Sequence, residues 1–502
     1  MYALGIDIGS SSVKVSLLEQ KSGSVCAGAS RPDVEMAIHS PRSDWAEQMP
    51  EQWWNYVVEA IKTIGKRFSE DLKRVKAVGI TYQMHGLVAV DVHHKPVRPS
   101  IIWCDSRAGS IGEQAFHRLG RSYCMHHYLN SPGNFTAAKL RWVQQHEPET
   151  YARIHKVMLP GDYIAMKLTG NITTTETGLS EGIMWDYQQN KVATKLLDYW
   201  SIDSALLPEV APAFDVQGRV EPEAAEVLGI KAGTPVTYRA GDQPNNAFSL
   251  NVLHPGEVAT TAGTSGVVYG VMDTPAYDRE SRVNTFLHPN HSPEKPRLGV
   301  LMCLNGTGIL NRWLKEQVGG GLNYETMNAH AAEVPAGAEG LRVFPFGNGA
   351  ERILGNQTPG AAFKGISFNR HSLPHLLRAS QEGIVFALKY GMEIMAQMGL
   401  KLDTIRAGRA NMFLSPLFRE VFVNTTGARL QLYNTYGAAG AARGALIGSG
   451  DYADFSEAFE GLHLIEEQLP ERAKETQYSE LYQAWKAELK DSSSIEQHPA
   501  EI

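Results

Sequence analysis

YALGIDIGSSSVKVSLL, residues 2–18, contains two apolar segments separated by the turn Gly9-Ser10-Ser11-Ser12. Tyr2 to Ile8 and Val13 to Leu18 have the apolar character of strands, and so short a turn predicts that they pair as an antiparallel hairpin. The second half of the chain repeats this arrangement in EVATTAGTSGVVYGVM, residues 257–272, which also reaches a small, hydroxyl-rich turn between two strands. One such hairpin in each half predicts a duplicated architecture, with the two turns facing each other across a cleft.

The length and composition of the chain indicate a globular protein with two large domains. Its 502 residues are too many for a single hydrophobic core. The hydrophobic fraction of 43% and the charged fraction of 20% are ordinary globular values. The formal net charge of −7 argues against a nucleic-acid-binding protein, which would usually carry a basic surface.

Cysteine spacing and hydropathy favour a cytoplasmic location. The four cysteines form no CxxC pair, so we expect reduced thiols rather than a structural zinc site or a disulfide framework. No segment reaches the roughly 18 consecutive apolar residues of a membrane span. The N-terminus lacks the basic and apolar regions of a signal peptide. We therefore expect a cytoplasmic protein that binds neither membranes nor nucleic acids.

Helical and strand patterns alternate along the chain, which predicts an α/β fold. Apolar residues between Pro50 and Phe68 recur at helical spacing, and the apolar strand Val75 to Thr81 follows them. A domain boundary is expected at 245–255, and the polar residues from Asp491 onward are expected to fray. The remaining expectations are a polar loop region at 173–185 and helices at 137–145, 160–168, 380–398, 417–425 and from Gly437 onward.

The first turn has the chemistry of a phosphate-binding site. Gly9 removes side-chain bulk, while serine hydroxyl and backbone N–H groups can donate to phosphate oxygens. Lys14 would add positive charge, and Asp7 could hold magnesium through water. The Walker A pattern GxxxxGK[ST] does not occur in the chain, so a nucleotide site would be of another type. The alternative is a turn that only closes a hairpin, but the similar turn 263–266 favours two turns gripping a polyphosphate from two sides.

Asp242 lies in GDQPNN, residues 241–246, between an apolar run ending at Tyr238 and a segment compatible with a helix. A carboxylate at such a junction can project into a cleft and accept the proton of a sugar hydroxyl as that oxygen attacks phosphorus. The same position is typical of a helix N-cap. The residues alone leave both interpretations open.

Two further polar segments follow predicted strands, where loops of α/β proteins commonly line a ligand cleft. They are Gln83-Met84-His85-Gly86 and Trp103-Cys104-Asp105-Ser106-Arg107. Carbohydrate sites combine an aromatic face with polar groups that bind hydroxyls, and this composition is provided by Trp103, His85, Asp105 and Gln243. The alternative is that Trp103 belongs to the core and that Asp105 and Arg107 form an internal salt bridge.

The order and spacing of seven segments resemble the FGGY carbohydrate kinases, and among these most closely the kinases of xylulose. That family belongs to the superfamily of sugar kinases, actin and heat-shock chaperone ATPases. The resemblance covers residues 2 to about 448. Its segments are GIDIGSSSVKVSLL (5–18), YQMHGLV (82–88), IIWCDSRA (101–108), AGDQPNNA (240–247), TAGTSGVVYG (261–270), EGIVFALKYGME (382–393) and YGAAGAARGAL (436–446).

The resemblance implies two RNase H-like, actin-like ATPase domains around a central cleft in which ATP, with Mg²⁺, meets a sugar. The implied divisions are an N-terminal domain at 1–247, a C-terminal ATP-binding domain at 248–450, and a helical extension with a polar tail at 451–502. Asp242 is implied to be the catalytic base and Asp7 the residue that holds the metal. The implied sugar contacts are Met84, His85, Trp103, Asp105 and Gln243. The implied ATP contacts are Ser11, Lys14, Gly263, Thr264, Gly306, Gly408 and Asn411.

The implied reaction is phosphorylation of D-xylulose at its terminal hydroxyl, O5, by ATP. Alternatives within the family are ribulose, fuculose or glycerol as the acceptor, although the pair that matches Met84 and His85 is charged in glycerol kinases. A different alternative is a non-catalytic, actin-like or chaperone-like ATP-binding module without a small-molecule pocket. Members of the family often dimerise, which makes a homodimer one expectation for this chain.

The chain departs from the family pattern at three places. The usual Gly-Gly-Gly motif of the adenosine site is replaced by Ala407-Gly408-Arg409, with a longer segment after it. The hinge stretch 348–352 lacks the Thr-Pro that often follows it, and residues 131–136 differ slightly from the N-domain signature.

Overall fold

The computed structural model describes residues 1–495, the last five by their backbone alone. The first half, up to Ser249, contains fourteen strands among these residues: β1 Tyr2–Ile8, β2 Val13–Glu19, β3 Ser24–Arg31, β4 Glu47–Gln48, β5 Val75–Tyr82, β6 Val88–Val90, β7 Ser100–Ile101, β8 Lys156–Met158, β9 Thr173–Thr175, β10 Trp185–Asp186, β11 Lys191–Val192, β12 Glu209–Ala211, β13 Gly218–Arg219 and β14 Pro235–Gly241. Its helices are α1 Pro50–Leu72, α2 Gly109–Leu119, α3 Arg121–His127, α4 Thr136–His146, α5 Pro148–Tyr151, α6 Pro160–Thr169, α7 Glu176–Glu181, α8 Thr194–Tyr199, α9 Pro222–Leu228 and α10 Asp242–Ser249.

The main sheet of the first half has the strand order β13-β14-β5-β1-β2-β3. Strands β1, β2 and β3 form an antiparallel meander, whereas β5 and β14 run parallel to β1 on its other side. In sequence order the five long strands are therefore arranged 3-2-1-4-5, which is the topology of an RNase H-like core.

The second half begins at Val258. Its strands are β15 Val258–Ala262, β16 Gly266–Met272, β17 Asn284–Leu287, β18 Leu298–Leu304, β19 Arg342–Phe346, β20 Gly360–Lys364, β21 Thr404–Gly408, β22 Arg429–Tyr433 and β23 Leu464–Gln468. Its helices are α11 Gly308–Gln317, α12 Tyr324–Ala332, α13 Leu373–Gln397, α14 Pro416–Thr426, α15 Gly437–Gly448, α16 Phe455–Ala458 and α17 Arg472–Ile495.

The sheet of the second half repeats the topology of the first. Its order is β17-β18-β16-β15-β21-β22-β23, with β15, β16 and β18 antiparallel and β21 and β22 parallel to β15. The core strands β18-β16-β15-β21-β22 again read 3-2-1-4-5. The hairpins β1–β2 and β15–β16 are equivalent elements of the two sheets, so the duplicated α/β architecture predicted from residues 2–18 and 257–272 is confirmed.

Four of the predicted helices are confirmed closely. Helices α1, α4, α6 and α14 agree with the expected segments to within four residues at each end, whereas α13 begins at Leu373, seven residues before the predicted start. The prediction of a polar loop at 173–185 is wrong. This segment forms β9 and the buried helix α7. Its polar side chains bind distant groups, since Thr173 accepts from Arg239 and Ser180 accepts from the N–H of Leu287.

The segment after residue 450 packs on the second sheet. Strand β23 pairs with β22, and α17 packs against α13 and α14. Helix α17 continues past Asp491, where fraying was predicted, as far as Ile495. The rest of the predicted polar tail, 496–502, lies outside the described residues. Within the described residues, none of the helices combines the length and apolarity that spanning a membrane requires.

Helix α15 connects the two halves, since it follows the second sheet in sequence but packs on the first. It lies against β1, β5 and β14 and contacts α10. The approach is so close that a Cβ on Gly5 or Gly79 would overlap the backbone oxygen of Ala438 or Ala441. Helices α10 and α15 therefore lie side by side between the sheets, next to the two hairpins.

Candidate active site

The turn of the first hairpin is held by donors from its own half of the chain. The Ser10 carbonyl accepts a hydrogen bond from Gln48 Nε2 at 2.7 Å, and the Ser11 carbonyl accepts one from the Met36 N–H at 2.8 Å. The indole N–H of Trp103 donates to Ser10 Oγ at 3.2 Å. Trp103 is thus half-buried against the turn rather than part of the hydrophobic core.

The turn of the second hairpin is held in the same manner. The carbonyl oxygens of Gly263 and Thr264 accept from the first two N–H groups of α11, those of Gly308 at 2.9 Å and Ile309 at 3.1 Å. Gly308 has no room for a Cβ, which would collide with the Gly263 carbonyl. In both turns two carbonyl oxygens, which would repel an anion, already accept hydrogen bonds from protein donors.

Asp7 and Lys14 are register partners on β1 and β2, so their side chains lie on one face of the sheet beside the first turn. Burial raises the pKa of Asp7 to about 6, and the positive charge of Lys14 opposes that rise. Gly437, at the start of α15, is the neighbour of this carboxylate, since a Cβ there would lie 2.5 Å from Asp7 Oδ2.

Asp242 is the first residue of α10, and the N-cap position is occupied by Gly241. The structure therefore does not support the alternative in which Asp242 caps the helix. Burial raises the pKa of Asp242 to about 7, and the negative charge of Asp7 adds to the rise. Hydrogen bonds from the side chain and N–H of Gln243 and from the N–H of Asp242 itself act in the opposite direction. Asp7 in β1 and Asp242 directly after β14 are thus close enough for the charge of one carboxylate to raise the pKa of the other.

Of the residues predicted to contact the sugar, Met84 lies next to Asp242, and His85 follows Met84 in the same loop. Met84 packs against Gly241, so closely that a Cβ on this glycine would lie 2.6 Å from Met84 Cγ. His85 has a positive φ of 61°, and its Nδ1 lies 2.9 Å from the carbonyl oxygen of Glu181. Because a carbonyl can only accept, Nδ1 carries the proton and Nε2 remains an acceptor. Burial lowers the pKa of His85 to about 3, with a contribution from the charge of Lys139, so the ring is neutral.

Lys139 holds the loop that carries Met84 and His85. Its fully buried ammonium donates to the carbonyl oxygens of His85 and Ile102, both at 2.9 Å. It thereby ties the loop after β5 to the loop that carries Trp103. Burial lowers the pKa of Lys139 to about 8.

Asp105 does not line the site. Its side chain is fully buried, and its oxygens accept from the Ala46 N–H at 2.6 Å and from the Arg107 guanidinium at 2.6–3.0 Å. The internal salt bridge with Arg107, the alternative interpretation of these residues, is what the structure contains. Arg107 also contacts Glu47 at 2.8 Å, so Asp105 anchors the segment that follows Trp103.

Glu181, the last residue of α7, is a component of the site that the sequence interpretation missed. Its carboxyl is 2% exposed and lies behind Gly241, with Tyr82 as a hydrogen-bond partner. Burial and the negative charge of Asp242 raise the pKa of Glu181 well above the usual range. The sequence offers no signal that distinguishes Glu181 from its neighbour Glu176 in this stretch.

The predicted ATP contacts of the second half fall into one neighbourhood. Asn411 has a positive φ of 54°, and its amide lies against Gly263 of the second turn. Gly408 ends β21 next to β15. Gly306 lies in the turn before α11, where a Cβ would collide with the carbonyl of Pro345.

Comparisons with known proteins agree with this architecture. Residues 2–249 match the family model for the N-terminal domain of the FGGY family of carbohydrate kinases, and residues 258–449 match the model for its C-terminal domain. The chain is 31% identical to the xylulose kinase of Escherichia coli strain K12 over 95% of this chain and 96% of that protein. It superposes on the xylulose kinase of Rhodospirillum rubrum with a TM-score of 0.85 at 26% identity, covering 99% of this chain and 100% of the other.

A more distant relative shares the fold alone. The glycerol kinase of Plasmodium falciparum, solved with ADP, superposes with a TM-score of 0.84 at 17% identity over 100% of this chain and 99% of that one. The expected two-domain, actin-like kinase fold is thus confirmed. With both family models matched in order over nearly the whole length, this chain belongs to the FGGY family of carbohydrate kinases and is an ATP-dependent sugar kinase.

Proposed function

We propose that the chain phosphorylates D-xylulose at O5 with ATP. The observation that carries this proposal is the position of Asp242, a carboxylate with a pKa of about 7 that lies close to Asp7 and next to the loop that carries Met84 and the neutral acceptor His85. The proteins from Escherichia coli and Rhodospirillum rubrum named above as xylulose kinases support xylulose as the acceptor.

Asp242 is proposed to be the general base. The O5 oxygen attacks the γ-phosphorus, the bond from phosphorus to the β,γ-bridging oxygen breaks, and ADP leaves with that electron pair. The proton of O5 passes to the Asp242 carboxylate. A pKa near the working pH suits this task, since a stronger base accepts the proton more readily while remaining partly deprotonated.

His85, Met84, Gln243 and Trp103 are proposed to hold the sugar. The lone pair of His85 Nε2 would accept from one sugar hydroxyl, and the carboxamide of Gln243 offers both a donor and an acceptor. Gln243 Oε1 is buried and has no hydrogen-bond partner within the described chain, as expected of an atom that awaits a ligand hydroxyl. Asp105 is proposed to position Trp103 rather than to touch the sugar.

ATP is proposed to lie between the two hairpins. Ser11 and Lys14 would bind its phosphates from one side and Gly263 and Thr264 from the other. Gly306 lies beside that second turn, and Gly408 and Asn411 are proposed to receive the adenosine end.

Mg²⁺ is part of this proposal, with Asp7 as its protein ligand. No cluster of three or more His, Cys, Asp or Glu side chains suited to a metal occurs in residues 1–490. This fits magnesium bound to ATP, which usually takes one or two carboxylates together with phosphate oxygens and water. Asp7, adjacent to Lys14 and facing Asp242, is a suitable carboxylate. The ion would supply positive charge against the phosphate oxygens.

The test is a coupled assay of ADP release over a panel of ketoses, pentitols and glycerol, with Asp242→Asn in parallel. We expect the highest kcat/KM with D-xylulose and a loss of about 10²–10⁴-fold in the variant, the usual contribution of general-base catalysis. A better rate with ribulose, fuculose or glycerol would reassign the acceptor, and turnover independent of every acceptor would contradict the kinase. An Asp242→Asn rate within about threefold of the wild type would remove the base assignment.

A further inference from the structure

The loop between β19 and β20 carries two adjacent charged residues, Glu351 and Arg352, that point to opposite parts of the site. Glu351 is fully buried, and its carboxylate accepts from the N–H groups of Asn305 and Gly306, each at 3.2 Å. These N–H groups belong to the turn that leads into α11. Since the first N–H groups of α11 hold the second phosphate turn, Glu351 braces the support of that turn.

Arg352 instead lies where the two halves of the chain meet. Within the second half, its Nε donates to the Ser281 carbonyl at 2.8 Å and its Nη2 donates to Ser281 Oγ at 2.9 Å. Toward the first half, its Nη2 lies 3.4 Å from Ser131 Oγ. The guanidinium lies 5.3 Å from the ring centre of Phe135. The Phe135 ring in turn packs edge-on against His85, with 4.8 Å between the ring centres. Arg352 therefore lies behind the wall of the sugar site.

Arg352 is a half-buried cation whose bonding is unusual. In the described part of the chain no carboxylate lies within salt-bridge distance of it, so hydroxyl groups, one carbonyl and an aromatic face are its partners. Burial lowers its pKa to about 10, which leaves it charged, and this charge lowers the pKa of His85. Its contacts with the first half, one hydroxyl at 3.4 Å and one aromatic face, are weak enough to form and break.

We propose that Glu351 and Arg352 are positioning residues that couple occupancy of the sugar site to alignment of the second phosphate turn. This inference rests on the proposed sugar-phosphorylating function. We take the arrangement in the structure as the closed one: Arg352 contacts Ser131 and the face of the Phe135 ring, while its neighbour Glu351 holds the turn before α11. When the halves separate, Arg352 loses its contacts with the first half, and the constraint on Glu351 is released through the shared backbone. A sugar that stabilises the closed arrangement therefore also orders the ATP site.

The test measures ADP affinity by titration calorimetry with and without saturating acceptor, using whichever sugar of the panel gives turnover. In the wild type we expect the sugar to tighten ADP binding by a factor in the usual range for coupled sites, about 5–150-fold. In Arg352→Gln this factor should fall to about 1–2, while the affinity for ADP alone stays within about threefold of the wild type. Glu351→Gln should show the same loss, because an amide nitrogen replaces one of the two accepting oxygens.

Arg370→Gln is the matched control, since Arg370 is an exposed arginine of the second half that pairs with Glu339. It should leave the factor unchanged. If Arg352→Gln does not fold, Ser131→Ala removes the same contact from the first half and should lower the factor without lowering the affinity for ADP alone. The inference is overturned if folded Arg352→Gln, or Ser131→Ala in its place, retains the wild-type factor. It is also overturned if the wild type shows no coupling, and neither result bears on whether the sugar is phosphorylated.

Discussion

The pKa of Asp242 is the outcome of opposing effects that can be ranked. Burial is the largest and raises the pKa, and the negative charge of Asp7 raises it further. Hydrogen bonds from Gln243 and from the first N–H groups of α10 favour the ionised form but are smaller. Burial wins, which leaves a carboxyl that is a much stronger base than an exposed aspartate.

The first prediction is a pH dependence of the reaction. Because Asp242 must be ionised to accept a proton, kcat/KM for the sugar should rise about tenfold per pH unit below about pH 7 and level off above it. The measurement is the initial rate at saturating ATP from pH 5.5 to 8.5. The residual rate of Asp242→Asn should be flat over this range, and a flat profile for the wild type would contradict the role of base.

The second prediction concerns stability and uses the same shift. A carboxyl with a raised folded-state pKa contributes stability that is complete below its unfolded pKa and is lost as pH rises through the folded value of about 7. Asparagine cannot ionise, so Asp242→Asn does not lose this stability as the pH rises. The variant should therefore have a higher Tm than the wild type, and the difference should be larger at pH 8 than at pH 5. Differential scanning calorimetry measures both.

Asp33→Asn is the control for this comparison, because the Asp33 side chain is 86% exposed. It should change Tm little at either pH. A lower Tm for Asp242→Asn at pH 8 would mean that the ionised carboxylate stabilises the fold, contrary to the direction of its pKa.

At the scale of elements, the sequence predicts what depends on local pattern. The two hairpins follow from strand periodicity around small turns, and α1 follows from apolar residues at helical spacing. The segment 173–185 was missed because its polarity resembles exposure. Its side chains are satisfied over long range, as when Ser180 Oγ accepts the N–H of Leu287.

The limit of local pattern also explains which parts of the site could be predicted from the sequence. The proximity of Asp242 to Met84 and His85 could be expected, since each follows a parallel strand of one sheet and the carboxyl ends of such strands share an edge. For Asp105 the sequence left open a sugar contact or a salt bridge with Arg107, two residues away, and the structure contains the salt bridge. Its second partner, the N–H of Ala46, lies 59 residues away in sequence and could not be predicted from local pattern.

The third prediction tests the packing of α15 on the first sheet. Gly79→Ala would place a Cβ against the backbone oxygen of Ala441, which cannot move without shifting the helix. Overpacking of this kind costs about 1–3 kcal/mol, so Tm should fall by several degrees. The matched control is Gly109→Ala at the start of α2, where a Cβ meets nothing within 4 Å and Tm should hold or rise slightly. Equal Tm values for the two variants would contradict the packing described.

At the scale of the molecule, the two halves contact each other at two further places. At the first, Asn130 exchanges two hydrogen bonds with the backbone of Thr285, at 2.6 and 3.0 Å. At the second, Arg312 of α11 forms an ion pair with Glu35 at 2.9 Å. Glu35 precedes Met36, whose N–H holds the turn of the first hairpin, and α11 holds the turn of the second. This ion pair therefore joins the supports of both turns across the site.

The fourth prediction is that the Glu35–Arg312 pair slows the release of ADP. Both side chains are substantially exposed, at 63% and 37%, so the pair should be worth about 0–1 kcal/mol and should weaken with salt. Glu35→Gln should therefore speed ADP release by up to about fivefold at low ionic strength, with little change in Tm. Stopped-flow displacement of a fluorescent ADP analogue measures the rate. In the wild type the rate should rise with added salt toward that of the variant, whereas the variant should respond weakly.

Glu70→Gln, which removes an exposed ion pair with Lys73 on the first half, should leave release unchanged. Equal release rates for Glu35→Gln and wild type at low salt would show that the pair does not restrain opening.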